Sequence, residues 1–275
     1  MSADLGPRER HGRIVRLSGH LAARLAHPSH GTARVHAVFA RAINIEGADG
    51  RLLTLHEPGP LRAPFAAAVE RVASLRGQRP GAPVAIEPGS IRLPGLLLAW
   101  EQATSVDCAV ATSPPGLDRA VVDALRRLDI RHAPGLDSPR GVAARASLSA
   151  AIGSRDASRL IAAASDLLGL GEGVTPAGDD CLVGVLAVLH AVGRLVGTPG
   201  LVPAVARAAA DRTTAVGREF VIHALAGRFS EPVLAVLRAR TAPEAAAAAA
   251  LLACLGATSG GDTLTGMRLA CRAAA

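Results

Sequence analysis

Gly169-Leu170-Gly171-Glu172-Gly173-Val174-Thr175-Pro176-Ala177-Gly178-Asp179-Asp180 runs directly into an apolar stretch from Cys181 to Val192, and the fold turns on how this segment is read. Glycine tolerates positive φ and lets backbone approach backbone or ligand closely. Thr175 has the character of a helix N-cap and Pro176 that of a first helical residue. The helix they open carries no charge between Cys181 and Gly193, so it is expected to be buried nearly all round. Two carboxylates at the mouth of a buried helix are costly unless a cation, a hydrogen-bond donor or a ligand meets them. The segment is therefore expected to form a site, with helix N–H groups attracting an anion.

Downstream of this segment the helical texture continues. Helical patterns fall over residues 203–226, 231–240, 243–255 and 259–274, and upstream over 117–128, 142–152 and 154–168. A loop with Pro and Gly spans 132–141. Residues 113–116, Ser-Pro-Pro-Gly, break both helix and strand and mark a boundary.

Before that boundary the chain favours strands. Residues 31–45 carry β-branched side chains in partial alternation, 47–50 form a turn and 51–55 a second strand, which together read as a hairpin. Residues 83–87 and 90–93 pair around Pro88-Gly89, while 96–100 and 108–112 are expected as edge strands. A short helix is expected over 61–76, after Pro60. The fold class is thus α+β: a β-rich N-terminal unit with one helix over residues 10–113, then an all-helical unit over 117–275.

Composition narrows the function. The 275 residues are 49% apolar but only 2% aromatic, so the core is built from small aliphatic side chains. The net charge of +7 comes entirely from scattered arginines, with no basic stripe. Without aromatic stacking groups this argues against a nucleic-acid partner. Cys108, Cys181, Cys254 and Cys271 have neither paired nor regular spacing and read as reduced apolar side chains. The histidines form no metal-binding pattern, and His223 reads as a satisfied core residue. The polar residues 1–13 are no signal peptide, and the longest apolar stretch is too short to span a bilayer. The expectation is a soluble, cytoplasmic protein with no membrane partner.

Two segments share the pattern G-x-T-x-x-G-D: Gly173 to Asp179 and Gly256 to Asp262. Each adjoins an apolar helical pattern, which suggests two similar helix N-termini facing one another across a single anionic ligand. The alternative for the second copy is a capping box between Ser259 and Asp262, which needs no ligand. Candidate ligand contacts are Gly171, Gly173, Thr175, Gly178, Thr258, Ser259, Gly261 and Asp262. Arg212, Thr213 and Thr214, two hydroxyls beside a guanidinium, form a second group suited to a carboxylate or phosphate, the alternative being a surface helix with ordinary i,i+3 and i,i+4 charge pairs. Asp179 and Asp180 are the candidate catalytic residues. Successive helical side chains diverge by about 100°, so only one of the two is expected to face the ligand.

Residues 168–184 resemble the signature of the AllH family, G-L-G-x-G-L-T-P-S-G-D-D-F-L-x-G. Residues 31–55, with V-x-x-V-F and A-x-N-x, residues 212–231 and residues 258–262 resemble it as well. Departures are Val174 for Leu, Ala177 for Ser, Cys181 for an aromatic, and Gly217 where the family tends to have Ser. The resemblance implies a subunit of an oxamate carbamoyltransferase that works with FdrA-type and AllG-type subunits in allantoin catabolism. Together these interconvert oxalurate plus phosphate with oxamate plus carbamoyl phosphate. In that chemistry Asp179 or Asp180 would orient an amide N–H₂ group or hold Mg²⁺, and fixed N–H donors would stabilise a tetrahedral, negatively charged state. The alternatives are a non-catalytic binding or scaffolding subunit of such a complex, or an enzyme acting on another small carboxylate or amide.

Overall fold

A computed structural model describes residues 9–27, 32–110, 116–195, 198 and 200–273. The chain divides between Cys108 and Ala109 into two compact units. The expected boundary at 113–116 falls mostly outside the described residues.

In the first unit the strands are β1 (Arg10–Ser18), β2 (Ala33–Val38), β3 (Ala42–Glu46), β4 (Leu52–His56), β5 (Ala66–Val69), β6 (Pro83–Glu87), β7 (Ser90–Leu93), β8 (Leu96–Ala99) and β9 (Thr104–Val106), with helix α1 (Gly19–Ala26) after β1. The sheet order is β5-β4-β3-β2-β6-β7-β8-β1-β9, and β5 also pairs with β1. That extra pairing closes a ring of eight strands, with β9 running parallel to the second half of β1. An eight-stranded barrel has an interior that side chains fill. Here Val35, Ile43, Ile45, Leu53, Leu55 and Ile91 fill it, joined by Leu21 and Leu25 of α1. Asn44 alternates to the other face of β3 and is also buried, its Oδ1 accepting from the Thr54 hydroxyl at 2.8 Å.

Closure of the ring overturns the helix expected over 61–76. Ala66, Ala67, Ala68 and Val69 form β5 instead, fully buried between β4 and β1, and a 3₁₀ turn follows at Val72–Leu75. An alanine-rich run has high helix propensity, but propensity is a weak prior that tertiary pairing overrides. β8 is likewise no edge strand, since β7 and β1 flank it. Residues 108–112 contribute only an isolated bridge from Ala109 to Arg228, and 111 and 112 lie outside the described residues.

The second unit is helical: α2 (Arg119–Arg127), α3 (Pro139–Ser154), α4 (Ala157–Leu167), α5 (Ala177–Ala191), α6 (Leu201–Arg212), α7 (Ala215–Leu225), α8 (Glu231–Arg238), α9 (Ala242–Ala253) and α10 (Ser259–Ala273), with a 3₁₀ turn at Pro134–Asp137. Together with the strand-rich first unit this is the expected α+β arrangement. Helix α5 is buried at every residue from Ala177 to Leu189, as its lack of charge implied. The single helix expected over 203–226 is in fact α6 and α7. Thr213 turns to extended backbone and Thr214 caps α7, its Oγ1 accepting from Gly217 N at 2.9 Å.

Helices α5 and α10 cross in backbone contact. A Cβ on Gly184 would lie 1.9 Å from the Thr263 carbonyl oxygen, and one on Gly266 would lie 1.9 Å from that of Cys181. The relation is reciprocal, so a local two-fold exchanges Gly184 with Gly266 and Cys181 with Thr263. It extends to the helix starts. Gly178 N–H donates to Leu170 O and Gly260 N–H to Leu255 O, and each glycine packs on a carbonyl from the last turn of the preceding helix, Leu167 or Leu252. The unit α4-loop-α5 is thus repeated as α9-loop-α10, and the crossing brings both N-termini together.

Candidate functional site

The site is assembled at the α5 and α10 N-termini. Thr175 Oγ1 and Ser259 Oγ are hydrogen-bonded at 2.9 Å, which joins the two glycine-rich segments. Thr175 is not the N-cap of α5. Pro176 occupies that position, and the freed hydroxyl reaches α10 instead.

Asp179 and Asp180 diverge, as their spacing on a helix requires. Asp179 Oδ1 accepts from Gly169 N at 2.8 Å, and its Oδ2 accepts from the Thr213 hydroxyl. Burial raises the Asp179 pKa, and the Thr213 and Gly169 donors offset part of that rise. Asp180 turns to the other side, toward Ser259 and Thr175. Burial pushes its carboxyl well above the usual range, the Ser259 and Thr175 hydroxyls oppose this, and the Asp262 and Asp179 charges add to it. Asp262, on α10, accepts on Oδ1 from Ala133 N at 2.8 Å. Its pKa is raised by burial against the pull of Ala133 N–H, the Thr258 hydroxyl and His132. Oδ2 of Asp180 and Oδ2 of Asp262 are buried without a hydrogen-bond partner.

The helix donors are largely engaged. Gly178 N–H is held by Leu170 O, Asp179 and Asp180 N–H by Pro176 O, Gly260 N–H by Leu255 O and Asp262 N–H by Thr258 O. The unfilled positions of the site are thus mostly acceptors, which departs from the simple picture of two open helix N-termini.

Each remaining expected residue has a definite place. Gly171 and Gly173 lie exposed with φ near +102° and +103°. Gly178 and Gly261 let a chain segment pass against the helix start, Leu167 O for the first and Arg131 O for the second. Thr214 Oγ1 donates to Val174 O at 2.5 Å, tying α7 to the glycine loop. Arg212 turns away from these carboxylates. Its Nη1 donates to Ser165 O at 3.0 Å and sits 3.9 Å from Asp166. His223 is buried, and its Nδ1 accepts from Arg228 Nε at 3.0 Å.

Two contributors are not among the candidate contacts: Gly169, although it opens the glycine-rich segment, and the stretch before α3. Gly169, at φ 70°, has no room for a Cβ, which would lie 1.9 Å from Arg212 O. The Arg131–Ala133 segment passes the α10 start and supplies the N–H that holds Asp262. Pro134-Gly135 marks that segment only as a loop, so no local signal reveals its partner. The pattern G-x-T-x-x-G-D also misaligns the repeat by one residue. It equates Asp179 with Asp262, whereas the reciprocal glycine contacts put Asp180 in the place of Asp262.

Comparison with known families agrees with this architecture. A model of the oxamate carbamoyltransferase subunit AllH matches residues 167–271, which include α5, nearly all of α10, and Asp179, Asp180 and Asp262. A model of the AllH family N-terminal domain matches residues 13–108, which include most of the barrel. The chain belongs to the AllH family. No solved structure matches it. Among the described residues of this AllH-family chain, no helix is long and apolar enough to cross a membrane.

Proposed function

We propose that this chain is the AllH-type subunit of an oxamate carbamoyltransferase-type complex and that the α5/α10 N-termini form its ligand site. The family is described as a subunit of that transferase, which implies a multi-subunit assembly. FdrA-type and AllG-type chains are the partners we infer. The observation that carries the reading is the Thr175–Ser259 hydrogen bond, which gathers Asp180, Asp262 and both glycine segments around one place.

The chemistry suits the groups present. In the proposed reaction a hydrogen phosphate oxygen attacks the ureido carbonyl carbon of oxalurate. The carbon–nitrogen bond to the oxamate moiety then breaks, and the proton of hydrogen phosphate ends on the departing amide nitrogen. Oxamate and carbamoyl phosphate result. The tetrahedral state is negatively charged and gains from fixed donors in a site of low dielectric. The exposed Gly171–Gly173 backbone is the source of donors we infer, while the Thr175 and Ser259 hydroxyl protons serve each other and Asp180 and fix its orientation. The unpartnered carboxyl oxygens of Asp180 and Asp262 suit the other half of the problem, namely N–H₂ groups or a bound cation. Asp179, Thr213, Thr214 and Arg212 serve as positioning residues, because each is occupied within the protein.

The test is reconstitution. The chain is mixed with FdrA-type and AllG-type proteins, and carbamoyl phosphate is followed from oxalurate and phosphate. Loss of an interaction made in the transition state costs about 10²-fold or more in turnover. An Asp180→Asn variant that folds and assembles is expected to fall by that much. Unchanged turnover would assign the chain a scaffolding role instead.

A further inference from the structure

We propose that Asp180 and Asp262 form a binding site for a divalent cation of the Mg²⁺ type, held between the α5 and α10 N-termini through their unpartnered Oδ2 atoms. This deepens the function proposed above by naming what accompanies the phosphate, and it rests on that reading only for the identity of the substrate.

Four observations carry it. First, both side chains are more than nine-tenths buried, with Asp180 6% and Asp262 1% exposed, and each keeps one oxygen with no hydrogen-bond partner. A buried acceptor left unmet is costly, and in native proteins it calls for an explanation. Second, the two carboxylates lie within electrostatic reach of one another, and Asp179 adds to the charge at Asp180. Among the described residues no arginine forms an ion pair with any of the three: Arg212 is turned to Asp166, and Arg145 donates to Leu136 O and lies 3.4 Å from Asp137. His132 is the basic group that bears on Asp262, and it sits 3.7 Å from Asp137. Third, the aim of Asp262 is set by other bonds, since Ala133 N–H holds its Oδ1, and the Ser259 and Thr175 hydroxyls stand beside Asp180. Preset oxygens are what a metal site needs. Fourth, most of the N–H groups at the two helix starts, those of Gly178, Asp179, Asp180, Gly260 and Asp262, are already engaged, so an anion gains from a positive intermediary when it binds beside three acids.

The donor chemistry selects the ion. Two carboxylates and two hydroxyls are all hard oxygen ligands, which suit Mg²⁺ better than zinc. No set of three His, Cys, Asp or Glu gathers among the described residues. Mg²⁺ does not require one, because it commonly keeps several waters and takes one or two carboxylates together with substrate phosphates.

The experiment uses the purified full chain without partners or oxalurate. Mg²⁺ is titrated alone and with inorganic phosphate, while thermal unfolding of the wild type, Asp180→Asn and Asp262→Asn is followed. The wild type is expected to gain about 3–6 °C at ten times Kd. Each variant is expected to lose that response, with affinity reduced at least tenfold, yet to melt no lower than the wild type when Mg²⁺ is absent. Should either variant fail to fold, Mn²⁺ binding to the wild type by electron paramagnetic resonance gives the stoichiometry directly, with one ion per chain expected. Absence of any response with and without phosphate, a response kept by both variants, or a stoichiometry of zero would overturn the site. Transfer by the reconstituted complex is scored separately. An active complex whose AllH-type chain binds no metal sinks the cation site alone, and a metal-binding chain in an inactive complex sinks the transferase reading alone.

Discussion

Replacing Gly184 by alanine pits two effects of known size against each other. Glycine inside a helix costs about 1 kcal/mol relative to alanine, so on an open helix the change would stabilise. At Gly184 the new Cβ would lie 1.9 Å from the Thr263 carbonyl oxygen and meet Met267 N at 2.9 Å. Both are backbone atoms of α10, so no side chain can swing aside. Relief requires the two helices to part by more than about 1 Å, and enlarging a packed core in this way costs about 1–3 kcal/mol or more. Parting the helices also draws Thr175 from Ser259, which loses roughly another 1 kcal/mol. The net expectation is a loss of about 2 kcal/mol. Urea unfolding followed by far-UV circular dichroism, which is dominated by the helical unit, should show a midpoint lower by about 1 M. Gly266→Ala should behave alike, because its Cβ meets Cys181 O at the same 1.9 Å. The double variant then tests the shared crossing. Once the helices have parted for one methyl group, the second needs little more room, so the combined loss should fall short of the sum by about 1 kcal/mol. A raised midpoint for Gly184→Ala, or strict additivity in the double variant, refutes the reasoning.

Other outcomes follow from the same geometry. Asp179→Ala leaves Gly169 N–H and the Thr213 hydroxyl without their acceptor and should cost about 2–4 kcal/mol in urea unfolding, whereas Asp179→Asn keeps an acceptor for Gly169 and should cost far less. Gly169→Ala combines a φ of 70° with a Cβ 1.9 Å from Arg212 O, and should be among the most destabilising single changes by the same measurement. Thr241→Ala removes the capping box shared with Glu244 at the start of α9 and should cost about 1 kcal/mol. His190 contributes a pH dependence whose sign is fixed. Burial against Phe229 lowers its pKa below the ordinary 6.5, so the unfolded chain binds this proton more readily than the folded one. Its contribution is intact above that ordinary value and is lost as pH falls toward the depressed folded one. Thermal melts in that window should therefore be steeper in pH for the wild type than for His190→Phe, and equal slopes would remove His190 as the cause.

Much of this molecule is written locally. The uncharged run after Asp180 declared a buried helix, and α5 is buried through thirteen consecutive residues. The turn at 47–50 and Pro88-Gly89 declared the hairpins that pair β3 with β4 and β6 with β7. The glycine spacing around Asp179 and Asp262 singled out the two segments that meet in space, because close backbone approach needs glycine wherever it occurs.

What stayed hidden depends on partners distant in sequence. Residues 66–69 are three alanines and a valine, good helix formers by composition, and they become a strand because β1 and β4 leave an unpaired slot between them that only extended backbone can fill. That the two aspartates diverge was legible from helix spacing, but which partner each meets was not. One finds Gly169 and Thr213, while the other finds α10 and keeps a bare oxygen. The one-residue slip in the internal repeat has the same origin. A pattern of letters aligned Asp179 with Asp262, but the helix crossing, set by where two backbones can touch at Gly184 and Gly266, pairs Asp180 with Asp262. Residue type and spacing thus settle which segments bend, cap and go underground, because those preferences act within a few bonds. Strand closure and the facing of two acids are settled by packing, because each is the free energy of a contact between segments that the chain brings together only on folding.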